Sequence, residues 1–231
     1  NKIITKNFRH TCKGNVELYD QKYHCWKSRG HGRISLSSAI KESCDIYFYE
    51  VARLLGIDRL QKTAFRFGLG NYVFNNFFEE KKGLIPSTSW KQATLGKPWY
   101  LGETMISGIG QGFLRTTNAQ LCKMIVQLAN GGYAIEPTFL RTKNLNLGKK
   151  IIEDEKHLEI LLSSLFNATN QPGGTSYSSR IVGKMKFTGK TGTAQVRSIS
   201  DSQRERDLKN KDLPWKFRDH SLFVGYGPTT N

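Results

Sequence analysis

Three groups of residues in this chain could do chemistry. The first is Lys190-Thr191-Gly192-Thr193. Lys190 supplies a compact cation, and the hydroxyls of Thr191 and Thr193 can accept and donate beside it. Gly192 removes a side chain that would block an incoming ligand. On a strand, this set suits an anionic, extended, peptide-like ligand that pairs along the strand edge. Lys-Thr-Gly alone is also an ordinary turn, so it needs support from the rest of the chain. The second group is Ser43-Cys44-Asp45. Ser43 falls on the apolar face of a helical pattern, where a bare hydroxyl is costly unless it has a partner. Either the helix breaks there with a local cap, or the serine belongs to a site. The third group is Cys12, Cys25, His31 and Cys44, spaced C-x12-C-x5-H-x12-C. Three thiols and an imidazole are a complete tetrahedral zinc set by ligand type. A Cys12–Cys25 disulfide across a hairpin, with Cys44 buried and inert, is the competing reading, and free thiols are a third. His10 is a substitute imidazole, whereas His24 adjoins Cys25 and would point elsewhere on an extended segment. Cys122 occupies a helical core position and reads as packing.

The elements that must position these groups follow from periodicity. Residues 187–196, rich in Thr, Phe and Val, suit a strand, and Leu222-Phe-Val-Gly-Tyr226 suits a second that pairs back on it. Residues 35–55 carry the strongest helical signal, with Leu36, Ile40, Tyr47, Val51 and Leu54 at helical spacing. Ser35 is placed to cap that helix and Gly56 to stop it. Asp58 can cap a further helix through about Phe67. Residues 71–100 read as loop. Helices are expected over 117–130, stopped by Gly131-Gly132, and over 153–166, with Leu158, Leu161, Leu162 and Leu165 on one face. Pro172-Gly173-Gly174 reads as a turn, and 197–218 as a long, charged, exposed loop. In the polar opening, Val16, Tyr23 and Trp26 can pack a short hairpin and Gly30-His31-Gly32 makes a tight turn. Gly108-Ile-Gly-Gln-Gly112 is glycine-rich but lacks the Gly-Lys-Ser/Thr tail of a phosphate loop.

Composition narrows the partners. Lys and Arg number 35 against 19 Asp and Glu, a formal net charge of +16 in 231 residues. That favours an anionic partner: nucleic acid, an acidic membrane surface or a carboxylate-rich polymer. No zinc-finger, helix-turn-helix or RNA-recognition signature is present, which disfavours nucleic acid. No apolar run approaches the roughly 20 residues that span a bilayer. No secretory signal pattern opens the chain, and it begins with Asn1.

Taken in order, the pieces resemble the transpeptidase domain of penicillin-binding proteins. Trp26-Lys-Ser-Arg-Gly-His-Gly-Arg33 leads into Ser43-Cys44-Asp45, Tyr47-Phe48-Tyr49 and Gly56-Ile57-Asp58. Gly108-Ile-Gly-Gln-Gly112 precedes Thr116-Thr117-Asn118-Ala119-Gln120. Lys190-Thr-Gly-Thr-Ala-Gln-Val196 and Asp219-His220 follow. The ordered set spans nearly the whole chain and looks most like the class B, elongation-type branch, penicillin-binding protein 2, where Ser-x-Asp is common.

The resemblance implies an α+β fold of the penicillin-binding and serine β-lactamase type: an antiparallel sheet flanked by a helical subdomain. It implies one partial domain over 1–231, truncated at both ends. Its parts would be a polar Cys/His segment at 1–33, a mainly helical part at 34–170 and a sheet part at 180–231. It implies serine-type D,D-transpeptidase chemistry on peptidoglycan stem peptides, inhibited by β-lactams, through an acyl-enzyme. Ser43 would relay a proton, Asp45 would orient the stem peptide and Lys190 would keep the field positive. Thr191 and Thr193 would hold the substrate carboxylate, and Gly192, also substrate-binding, would leave room for the ligand. No cofactor is required for the chemistry, and a structural zinc would pin the loop carrying Ser43 and Asp45. The parent protein is expected to be membrane-anchored at the periplasmic face of the inner membrane and paired with a glycosyltransferase, with no nucleic acid partner. One departure stands out. The family's nucleophile lies in a Ser-x-x-Lys motif well before the second motif, and the match here, Ser38-Ala-Ile-Lys41, ends two residues before Ser43. It reads as a chance match, with the true motif upstream of Asn1 and this segment inactive alone. A β-lactam or peptidoglycan sensor, a hydrolytic variant and an inert fragment are the competing readings.

Overall fold

The computed structural model describes residues 3–74, 77–140, 147–196 and 210–229. The chain opens with a hairpin inside a hairpin. Strand β1 (Arg9–Cys12) pairs antiparallel with β4 (Gly32–Ser35), and between them β2 (Asn15–Leu18) pairs with β3 (Gln21–His24). Val16 lies opposite Tyr23, as the sequence suggests. Gly30 and Gly32 flank His31 with φ of 76° and 70°, so the imidazole sits in a turn that only glycines close easily.

The helical signal over 35–55 resolves into two helices. α1 (Leu36–Glu42) is capped by Ser35, whose hydroxyl accepts from the Ser38 amide. α2 (Asp45–Leu55) ends at Gly56. Ser43 stands at the break, in the left-handed region at φ 52° and ψ 54°. A non-glycine residue there carries strain, and the break turns the Ser43 side chain off the helix stripe. α3 (Ile57–Arg66) begins at Gly56 rather than at an Asp58 cap. Asp58 instead accepts from the amide and hydroxyl of Thr88.

Within 71–100, expected as loop, lies α4 (Thr88–Leu95), capped by Ser87 and stopped by Gly96. α5 (Leu101–Gly108) follows directly. Buried Lys91 on α4 meets Glu103 on α5 at 2.5 Å and lies 4.6 Å from the Tyr100 ring. Removing one partner of such a pair costs about 3–5 kcal/mol. The pair therefore fixes α5, whose end leads into the glycine-rich stretch at 108–112.

α6 (Asn118–Ala129) opens with a capping box, Thr117 to Gln120, and α7 (Glu155–Asn170) runs past the expected end at 166. Cys122 is exposed on α6, contrary to the packing expectation. The buried positions of that helix are Gln120, Ile125, Gln127 and Leu128. Both glutamines donate to loop carbonyls: Gln120 to Asn71 and Lys82, and Gln127 to Phe67. Their need for buried partners sets the helix phase. β5 (Lys186–Ala194) and β6 (His220–Thr229) form the expected antiparallel ribbon, with a register shift between Lys186 and Thr188. The loop expectation for 197–209 lies outside the described residues, while 210–218 contain two short 3-10 turns.

Two apolar cores result. One joins the hairpins to α2 through Cys12, Cys25, Ile34, Cys44, Tyr47 and Met105. The other packs α1, α6 and α7 through Ile40, Ile125, Leu128, Leu158 and Leu165, with Val224 and Tyr226 of β6 against it. The α1–α2 break lies where they meet, with Ile40 in one core and Cys44 in the other.

Candidate active site

A cleft of about 880 Å³ lies between that break and β5. Its walls include Ser43 and Asp45 on one side and Lys190, Thr191, Gly192 and Thr193 on the other. The six residues to which the sequence assigned catalysis and substrate binding therefore share one cavity. Gly108, Ile109 and Gln111 at the end of α5 and Gly173, Gly174 and Thr175 after α7 also line the cleft.

The walls touch through one cation. Lys190 Nζ donates to Ser43 Oγ at 2.5 Å, to the Thr191 carbonyl at 3.0 Å and to Thr191 Oγ1 at 3.3 Å. Burial lowers the Lys190 pKa to about 8, partly offset by the Asp45 carboxylate. Asp45 moves the other way. Burial raises it to about 6, opposed by the hydrogen bond it accepts from the Trp26 amide at 2.9 Å and by Lys190. Trp26 is tied down in turn, since its indole donates to the Glu42 carbonyl. The loop after β3 thus grips both ends of the Ser43 turn.

β5 has one partner, β6, among the described residues, so its other edge borders the cleft. Gly189 and Gly192 differ there. A Cβ on Gly189 would stand 2.4 Å from the Val224 carbonyl oxygen, so the ribbon itself requires that glycine. A Cβ on Gly192 would meet only the Leu222 Cβ, at an ordinary 3.6 Å. Among the described residues, packing does not require glycine at 192.

Beneath the Ser43 turn, Cys12, Cys25, His31 and Cys44 place one ligand atom each within 4.8 Å of one another. His31 Nδ1 lies 3.6 Å from Cys12 Sγ and 3.5 Å from Cys25 Sγ. The three thiols are buried and free, so the Cys12–Cys25 disulfide is not formed. Cys25 is held far down, to about 4, by the Cys44 thiol that donates to it and by the amides of Lys27, Asp45 and Ile46. Cys44 is pushed up by that same bond and by burial. His10 and His24 are outside the group.

Ser38 and Lys41 are not among the cleft residues. Ser38 Oγ accepts from Ser35 Oγ, within the cap of α1. The residue sequence reasoning missed is Thr175, whose hydroxyl lies 3.3 Å from Ser43 Oγ and 3.1 Å from Thr191 Oγ1. The paired glycines before it signal a close approach, but not to what.

The sequence profile of the penicillin binding protein transpeptidase domain matches residues 1–231. Peptidoglycan D,D-transpeptidase MrdA of Escherichia coli K12 is 32% identical over 223 residues, covering 92% of this chain and 35% of that protein. The chain thus spans about a third of that relative's length. Among solved structures, Pseudomonas aeruginosa PBP2 in complex with WCK 5153 superposes with a TM-score of 0.81 at 35% identity, over 98% of this chain and 49% of that one. PBP2 of Helicobacter pylori, in its complex with MreC, gives 0.85 at 29% identity, over 97% and 39%. The mixed helix-and-strand architecture expected from the motifs is the architecture these structures share, and the chain belongs to the penicillin-binding protein transpeptidase family.

Proposed function

We propose that the chain is the transpeptidase part of a peptidoglycan D,D-transpeptidase of cell-wall elongation. The observation that carries this reading is the Lys190–Ser43 contact across the cleft, beside a strand edge unpaired among the described residues. An extended stem peptide would lie along β5, its terminal carboxylate near Thr191 and Thr193. A serine attacks the carbonyl carbon of the penultimate D-alanine. The new C–O bond forms, the peptide C–N bond breaks, and the leaving nitrogen takes a proton from Ser43 Oγ; Lys190 re-supplies Ser43 and is itself restored by the proton that the attacking serine hydroxyl gives up. The amine of a second stem then displaces the serine oxygen, which regains its proton. The Thr193 amide supplies one oxyanion donor. Asp45, held by the Trp26 amide, orients the stem and steadies Lys190.

The nucleophile is a serine outside these 231 residues. Ser38 lies within the cap of α1 and away from the cleft, which supports this assignment. The name of the MrdA relative, peptidoglycan D,D-transpeptidase, supports peptidoglycan stem peptides as substrate, and the penicillin binding family supports β-lactams as ligands. The site of action in this reading is the periplasmic face of the inner membrane. The complex of the Helicobacter pylori relative with MreC supports a partnership within the elongation machinery.

Zinc fits the four-residue group. With Zn–S near 2.3 Å and Zn–N near 2.0–2.1 Å, the S···N edge of a tetrahedron is about 3.6 Å. The His31 Nδ1 distances to Cys12 and Cys25 match that edge. Cys12, Cys25, His31 and Cys44 would hold the ion, which would act as a structural clamp. It would brace the turn that presents Ser43 and Asp45, supporting the site without entering the reaction.

Intact-mass spectrometry after incubation with benzylpenicillin tests the assignment. The full-length protein is expected to gain one opened penicillin, and residues 1–231 alone, folded by circular dichroism, none. An adduct on the folded isolated chain would sink the external-nucleophile assignment, and an unmodified full-length protein would sink the transpeptidase reading.

A further inference from the structure

Counting protons around Lys190 leaves one hydroxyl in an unusual position. An ammonium has three hydrogens. Those of Lys190 are directed at Ser43 Oγ, the Thr191 carbonyl and Thr191 Oγ1. The cation therefore has no proton left for a ligand. Two of its acceptors pass the polarisation on: Ser43 Oγ donates to Thr175 Oγ1 at 3.3 Å, and Thr191 Oγ1 donates to the same atom at 3.1 Å. Both branches from Lys190 converge on Thr175, which accepts twice. A hydroxyl has two acceptor sites and one proton, so the Thr175 proton is unspent, and Thr175 lines the cleft. Hydrogen bonds in series strengthen one another, so this proton is a better donor than that of an isolated threonine.

The position is also rigid. The Thr175 amide donates to the Lys41 carbonyl at the end of α1. The next residue, Ser176, donates through both amide and hydroxyl to the Ala168 carbonyl in α7. Before it, a Cβ on Gly174 would overlap the Ala168 carbonyl oxygen at 2.3 Å. The residue is thus pinned between α1 and α7 while its hydroxyl faces the cleft between Ser43 and Thr191.

We propose that Thr175 is a specificity-determining residue of this site, donating its hydroxyl proton to the carboxylate of the bound ligand. It carries the influence of the Lys190 charge to an anion that the ammonium does not itself reach. This rests on the transpeptidase reading, in which the ligand ends in a carboxylate.

The test compares acylation of the full-length protein by benzylpenicillin and by its methyl ester, in the parent and in Thr175→Val and Thr175→Ser. In each acylation the serine oxygen bonds to the lactam carbonyl carbon, the lactam C–N bond breaks and the freed nitrogen takes the proton. Thr175→Val is expected to slow second-order acylation by the acid about tenfold or more, the scale of a hydrogen bond to a charged group. It should leave the rate with the ester within about twofold, and Thr175→Ser should restore the acid rate. Equal losses with acid and ester would make Thr175 a strut for Ser43 and overturn the proposal, as would an unchanged acid rate in Thr175→Val. A parent protein that is not acylated at all would remove the transpeptidase reading and this proposal with it, and that failure is seen before any variant is compared.

Discussion

The two walls of the cleft are built by opposite means. The strand wall carries its groups within four consecutive residues, 190–193, on one strand whose outer edge has no strand partner among the described residues. Its geometry follows from local pleating, and Thr193 is exposed. The Ser43–Asp45 wall is assembled from β1, the loop after β3, the turn before β4 and the α1–α2 break. Its support is a buried group of thiols beneath a serine in the left-handed region. One wall is a presentation surface that tolerates change; the other is a folded device that holds a strained turn. Substitutions should therefore damage stability on the Ser43 side and ligand handling on the strand side.

The largest effect is expected from Cys44→Ser. Cys44 is fully buried in the thiol group and stands at the N-terminal boundary of α2 without a side-chain capping bond. If the group holds the proposed zinc, losing one ligand should cost on the order of 3 kcal/mol or more in urea unfolding, with one zinc per chain in the parent and none in the variant by elemental analysis. Thr193→Ala on the other wall should stay within about 0.5 kcal/mol of the parent. A Cys44→Ser protein as stable as its parent would erase the contrast between the walls, and a zinc-free parent destabilised by reductant would replace the metal with a disulfide.

A second comparison stays within β5. Gly189→Ala forces a Cβ against the Val224 carbonyl oxygen, an overpacking cost of about 1–3 kcal/mol. Gly192→Ala meets ordinary contact and should leave the unfolding free energy within about 0.5 kcal/mol. Acylation by benzylpenicillin should nevertheless slow in Gly192→Ala. If both glycines respond alike in stability, or if Gly192→Ala acylates at the parent rate, the free edge is not where the ligand lies.

The same contrast explains what could be read from sequence. Lys190 to Thr193 are contiguous and periodic, so strand, edge and cation were visible together. α1 and α2 were visible as an apolar stripe, and Ser43 as the residue that did not belong on it. α4 was missed because its eight residues bury only Lys91, and a lysine is no apolar signal. The phase of α6 was misjudged at Cys122 because glutamines occupy two of its buried positions, called there by loop carbonyls distant in sequence. Thr175 was invisible for a related reason: its partner Ser43 lies 132 residues away. Short-range pattern shows apolar faces; polar partners across the fold appear only when the fold is in hand.

The smallest expected effect separates the walls electrostatically. Lys190 has a pKa lowered to about 8 by burial, so it is cationic below that pH and neutral above it. A carboxylate ligand needs the cation through the hydroxyls that Lys190 polarises. Acylation by benzylpenicillin should therefore fall as pH rises through about 8, where an ordinary lysine would hold to above 10. The second-order rate constant reports the free protein, so its limb reads the unliganded Lys190. Asp45 on the opposite wall raises that value by its negative charge. Asp45→Asn keeps an oxygen to accept from the Trp26 amide and removes the charge, so the limb should move to lower pH while the fold stays intact. A limb that does not move would mean the two walls meet only through the Ser43 hydrogen bond. A limb that moves upward would mean that burial of Lys190, rather than the Asp45 charge, is what the substitution relieves.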